Sequence, residues 1–124
     1  MRIAYWCVLT AGLLPIVSVS LAKAGVKGYD NRLPRDWLTQ LSGWQQRANA
    51  AQQNAWEAFA LFSVAVILSA LQSAPEAKVD MLALGFIAAR VAYLGCYLAD
   101  LATLRTLVWM AGFGCTLTIF LAGP

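Results

Sequence analysis

The chain has 124 residues, 60% of them apolar and only 12% charged, with a mean hydropathy of +0.64. A soluble domain carries about a quarter charged residues and a disordered chain is poor in apolar ones, so both classes are excluded. Nine basic against six acidic residues give a net charge of +3, and there is no His, which removes the commonest metal ligand and general base.

Crossing the hydrocarbon core takes ~20 apolar residues per helix, so four spans use ~80 residues and leave short loops, with no room for a separate soluble domain. Residues 3–22 (IAYWCVLTAGLLPIVSVSLA) carry no charge and lie between Arg2 and Lys23. Small residues around Lys23 suggest a signal-peptide cleavage site as the rival reading. The apolar run exceeds a signal-peptide core and further membrane sequence follows, so a first span is expected, with Pro15 as a possible kink.

Residues 23–46 are the one long polar stretch. They hold Lys23, Lys27, Arg32 and Arg35 among the loop formers Gly28, Asp30, Asn31 and Pro34. The spacing of Trp37, Leu41 and Trp44 predicts one face of a short helix at the membrane interface. A second span is expected over residues 47–72, with Arg47, Gln52, Gln53, Asn54 and Glu57 in its first half and plain membrane sequence in its second. A turn around Pro75 leads to a third span over residues 81–99, with Arg90 in its middle. After a brief turn at residues 100–102, a fourth span over residues 104–121 opens with Arg105.

The expected fold class is all-α: one integral-membrane domain over residues 1–124, a four-helix bundle with both termini on one side. Basic residues concentrate in the first loop and beside the third, so the positive-inside rule puts those loops in the cytoplasm and both termini on the non-cytoplasmic side. In a membrane chain this charge sets topology, so nucleic acid is not an expected partner. Cys7, Cys96 and Cys115 sit in separate apolar stretches without a CxxC pair. They read as small packing residues, and no metal site is expected.

This topology brings polar residues from three spans to one half of the membrane. Arg47, Asn54 and Glu57 are seven and three apart; Arg90, Tyr93, Tyr97 and Asp100 are three, four and three apart. Each set makes one helical stripe. Charges facing lipid cost about 2.5–3.5 kcal/mol each on insertion scales, so the stripes should face each other or a water-filled cleft. Two readings stay open from the residues alone: polar glue between helices, or a ligand site. Glu57 and Arg90, at similar depth on neighbouring helices, are expected to form a structural ion pair within one subunit. The Ala-rich second span (Ala48, Ala50, Ala51, Ala55, Ala58) favours close helix contact and an oligomer.

The segment from Arg47 through Gln52, Asn54 and Glu57 resembles the second-helix signature of the MAPEG family, the membrane-associated proteins in eicosanoid and glutathione metabolism. Arg90-Val-Ala-Tyr93-Leu-Gly-Cys-Tyr97, followed by Arg105-Thr-Leu-Val-Trp109, looks like that family's third helix and the start of its fourth. The stretch from Gly28 to Arg35 and on through Glu57-Ala-Phe is similar to small bacterial members. The resemblance implies a homotrimer in a bacterial inner membrane, with glutathione as cosubstrate bound between subunits on the cytoplasmic side. It assigns glutathione binding to Arg47, Gln52, Asn54, Glu57, Tyr93 and Tyr97, and stabilisation of the thiolate to Arg105 as the catalytic residue. Two departures stand out: Ala50 occupies the place of a second Arg, and Trp109 the place where some members have Tyr.

Two functions follow. One is a glutathione-dependent transferase or peroxidase acting on small apolar electrophiles or lipid hydroperoxides. The other is a non-catalytic protein of the same fold that binds membrane lipid or serves as a scaffold. A transporter is weaker, because no span is interrupted by paired Gly and Pro.

Overall fold

In lipid a backbone must satisfy its own hydrogen bonds, which leaves helices and closed barrels as spanning structures. The computed structural model takes the first solution. It describes residues 2–24, 28–29 and 31–124; Lys27 and Asp30, used above in the topology and loop readings, lie outside the described residues. The elements are α1 (Ile3–Lys23), α2 (Pro34–Leu38), α3 (Gly43–Leu71), α4 (Glu76–Leu98) and α5 (Ala102–Phe120). Four of them, α1, α3, α4 and α5, are long and apolar enough to cross a membrane.

Two polar links fix their directions. The Ala4 amide in the first turn of α1 donates to Asp80 Oδ1 at 2.9 Å, and Arg2 Nε lies 3.7 Å from Glu76 Oε1, so α1 and α4 begin at the same end. Arg47 near the start of α3 reaches the last carbonyls of α4, so α3 runs the opposite way. The bundle is therefore up-down-up-down, with α3 against α1 and α5 against α4 as the largest interfaces.

α1 runs unbroken through Pro15 and buries Ala4, Cys7, Ala11, Pro15, Ser18 and Ala22. These lie three or four residues apart, a seam of small side chains that permits close approach in lipid. Ala48, Ala51 and Ala55 of α3 are buried inside the chain, so most of the Ala-rich surface is used within the bundle. Large apolar side chains such as Leu9, Leu13, Ile16, Leu61, Val64 and Leu107 stand on the outside, where lipid is a suitable solvent.

The turns after α3 and α4 share one solution. Ser73 and Asp100 adopt left-handed φ values of 58° and 60°. The Ala74 amide donates to Ser69 O at 2.9 Å and the Leu101 amide to Cys96 O at 2.8 Å. Each is a Schellman cap, here closed without glycine.

Three sequence expectations need correction. The short helix ends at Leu38, so Trp37, Leu41 and Trp44 do not share one helical face. Gly43, with φ of 64°, turns the chain into α3, a conformation that favours glycine. Trp37 and Leu41 instead pack on Ala22, Leu38 and Ala48, while Trp44 stands exposed. The second span begins at Gly43, ahead of the expected residue 47, and the third at Glu76, ahead of residue 81. Polar residues had marked those turns as loop, yet Pro75 precedes the helix and Glu76 complements the dipole of its first turn.

The larger core cluster lies where α1 and α4 begin. Phe62 and Phe86 stack at 4.0 Å between ring centroids, surrounded by Cys7, Ala65, Val66, Val79 and Ile119. A smaller cluster of Ala22, Leu38 and Ala48 closes the opposite end.

Candidate functional site

At that opposite end, α4 and α5 build a ladder of cations and rings. The Arg90 guanidinium carbon lies 4.1 Å from the centroid of the Tyr93 ring. Tyr93 meets Tyr97 edge-on, with centroids 5.6 Å apart at 70°. The Arg105 guanidinium carbon lies 4.5 Å from the Tyr97 centroid. The spacing of 90, 93 and 97 along α4 produces the stripe, and the short turn after α4 returns Arg105 to it in the first turns of α5. A ring face holds a guanidinium flat and leaves its N–H donors at the edge.

Two cavities adjoin this ladder. An open cleft of about 250 Å³ is lined by Asn54, Tyr93, Tyr97, Arg105, Thr106 and Trp109. A smaller, more apolar cavity of about 140 Å³ is lined by Leu61, Phe86, Trp109 and Phe113, with Asn54, Glu57, Arg90 and Thr116 among its remaining walls. Asn54 and Trp109 border both. Asn54 Oδ1 is buried without a hydrogen-bond donor, and among the described residues the side chains of Arg90 and Arg105 make neither a hydrogen bond nor an ion pair. Buried polar atoms are nearly always satisfied, so an unsatisfied acceptor between two cavities points to a ligand or water. Arg105, near the amino terminus of α5, also has the helix dipole behind it, which favours an anion in the cleft.

A family model described as the MAPEG family matches residues 3–123. The chain belongs to the MAPEG family. No curated protein and no solved structure matches it. Together with the four apolar helices, membership makes this an integral membrane protein. It also associates the chain with membrane proteins of glutathione-dependent transferase and peroxidase type.

Within this MAPEG chain the residues singled out from sequence fall into three groups. Asn54, Tyr93, Tyr97 and Arg105 share the open cleft. Glu57 and Arg90 line the apolar cavity. Arg47 and Gln52 line neither. Arg47 Nε donates to Tyr97 O and its terminal nitrogen to Leu98 O, both at 3.1 Å, so its guanidinium caps α4. Gln52 Nε2 donates to Asn49 Oδ1 at 2.9 Å and faces a separate polar groove with Arg35 and Thr39.

The expected ion pair between Glu57 and Arg90 is not formed. An ion pair does join Arg2 and Glu76, at the other end of the bundle. The Arg90 guanidinium instead lies over the Tyr93 ring, one turn further along its own helix, and the residue is buried there, while Glu57 stands exposed.

Sequence reasoning left Thr106, Trp109, Phe113 and Thr116 out of the site. The signal was present: Arg105, Trp109, Phe113 and Thr116 are four, four and three apart, one face of α5. Attention to charge passed over the aromatic wall that follows the Arg.

Proposed function

We propose that this protein is a membrane enzyme that uses glutathione against a small apolar electrophile or a lipid hydroperoxide. The carrying observation is Arg105: a guanidinium held over the Tyr97 ring, without a carboxylate partner, opening onto a cleft that shares Asn54 and Trp109 with an apolar cavity.

The donor set suits glutathione, an anionic, multiply hydrogen-bonding thiol. Arg105 offers cationic donors, Asn54 Oδ1 an unsatisfied acceptor, and Tyr93 and Tyr97 hydroxyls. Bound glutathione supplies the nucleophilic sulfur. Arg105 favours the thiolate over the thiol, because a fixed cation that cannot deprotonate stabilises the anion, and the α5 dipole acts in the same sense. Asn54 and the tyrosines orient the cosubstrate; Leu61, Phe86, Trp109 and Phe113 exclude water from the electrophile's side. Glu57, exposed at the rim of the apolar cavity, is available to an ammonium because Arg90 does not engage it.

The same reading takes the assembly to be a homotrimer, with loops one and three in the cytoplasm and the membrane a bacterial inner membrane. Glu57 is exposed on the single chain although it lies well inside α3. A charge against lipid costs about 2.5–3.5 kcal/mol, which supports cover by a second copy or an aqueous cleft. The number three rests on family membership.

A non-catalytic lipid-binding role is the second reading, favoured by Ala50 in the place of a further Arg and by Arg47 being engaged with α4. Glutathione-dependent conjugation of an aryl halide by purified protein decides between them. Turnover that disappears in Arg105→Ala supports the enzyme; an inactive parent, with no glutathione-induced thermal shift at millimolar ligand, supports the binding protein.

A further inference from the structure

Arg90 is the charged side chain that the fold buries among the described residues. It is 5% exposed, makes no hydrogen bond or ion pair, and has the Tyr93 ring at 4.1 Å as its polar neighbour. The stem is buried, whereas the guanidinium nitrogens keep access to the adjoining space, so their donors are open to a ligand. The glycine at 112 contributes to this arrangement. A Cβ there would stand 3.3 Å from Ala89 Cβ and 3.9 Å from Arg90 Cδ, so Gly112 lets α5 close over the Arg90 stem.

The donors border the apolar cavity. Its volume, about 140 Å³, matches that of an engineered cavity known to take a benzene ring, about 150 Å³. Phe86, Trp109 and Phe113 give it aromatic walls. Glu57 also lines it, but from an exposed position, so the deep charge is positive and the rim charge negative.

We propose that this cavity takes an acidic single-ring aryl compound, with its ring among the aromatic walls and its carboxylate on Arg90. A planar carboxylate matches the guanidinium fork, and the low-dielectric surroundings strengthen the pair. Glu57 at the rim disfavours a second negative charge, so monoanions are preferred to dianions. The proposal rests on the function given above and narrows its second substrate, from an apolar electrophile or lipid hydroperoxide to a single ring that carries one negative charge.

The test is titration calorimetry on the full-length protein in neutral detergent, without glutathione and with protein-free micelles as the blank. The probes are benzoate and the uncharged benzamide of nearly the same shape. The parent should bind the acid about tenfold more tightly than the amide, the ratio set by a charge-assisted hydrogen bond. Arg90→Gln should bring the ratio to about one, and Arg90→Lys should keep part of it. Leu61→Trp, a change at an exposed cavity wall, should weaken both probes and decides the matter if Arg90→Gln does not fold. Equal binding of acid and amide by the parent overturns the proposal. So does a preference that survives in Arg90→Gln, or unchanged binding in Leu61→Trp. Because no turnover is measured, a parent that binds the acid yet conjugates no glutathione overturns the transferase reading and leaves this one standing.

Discussion

Arg47→Ala separates a structural arginine from a ligand-binding one. Arg47 donates to Tyr97 O and Leu98 O, each at 3.1 Å. Tyr97 O keeps a second donor after the change, the Asp100 amide at 3.2 Å, whereas no such turn bond reaches Leu98 O. The loss therefore comprises two charge-assisted bonds, one of which leaves its acceptor unpaired, together with a cation at the negative end of the α4 dipole. At about 1 kcal/mol per bond, with a few tenths for the dipole, the variant should lose about 2–3 kcal/mol. For a chain of this length that is a fall in Tm of about 8–12 °C. Thermal unfolding in one detergent, followed by far-ultraviolet circular dichroism at a fixed scan rate, reads it directly. Arg47→Lys, which has the charge but not the fork, should recover less than half. The KM for glutathione should change little. A variant with the parent's Tm and a tenfold higher KM would refute the capping role and return Arg47 to the ligand site.

Arg105→Ala should lower glutathione turnover by about a hundredfold or more with Tm within 2 °C of the parent, measured by conjugation rate and thermal unfolding. Asp100→Gly should raise stability by about 1 kcal/mol, since glycine adopts the left-handed φ freely and a carboxylate leaves the negative end of α4; Asp100→Val should lower it by about 1–2 kcal/mol, both read by denaturant unfolding in mixed micelles. Phe62→Ala removes the stacked partner of Phe86 and should cost about 3–5 kcal/mol, with loss of folded yield on size exclusion as the readout.

The spans were legible because apolar length is set by the bilayer and survives any detail of packing. The polar half was legible for a related reason. Topology fixes depth, and depth alone brings Asn54, Tyr93, Tyr97 and Arg105 together. Side-chain direction was not legible. Arg90 settles over the Tyr93 ring of its own helix instead of meeting Glu57, and Arg47 is drawn to carbonyls at the end of α4, attractions that residue spacing does not encode. Gly43 shows a third limit: a single left-handed φ restarted a helix and split the tryptophans that spacing had placed on one face. Trp109 and Phe113 were passed over because an aromatic wall looks the same in sequence whether it faces lipid or a ligand.

The two core clusters are unequal. Among the described residues, twelve buried apolar side chains form one cluster at the end where α1 and α4 begin, whereas the half that carries the cleft buries seven, Ala22, Leu38, Ala48, Ala51, Ala55, Tyr93 and Cys96, of which only the first three cluster together. Local opening follows the least-buried region, so the helices behave like the tines of a fork gripped at its base. Small outward excursions of the free tips widen the cleft around Arg105 while the stacked phenylalanines stay in register. On the function proposed above, a product held beside Trp109 would leave through this looser end, while the stacked phenylalanines keep the bundle assembled.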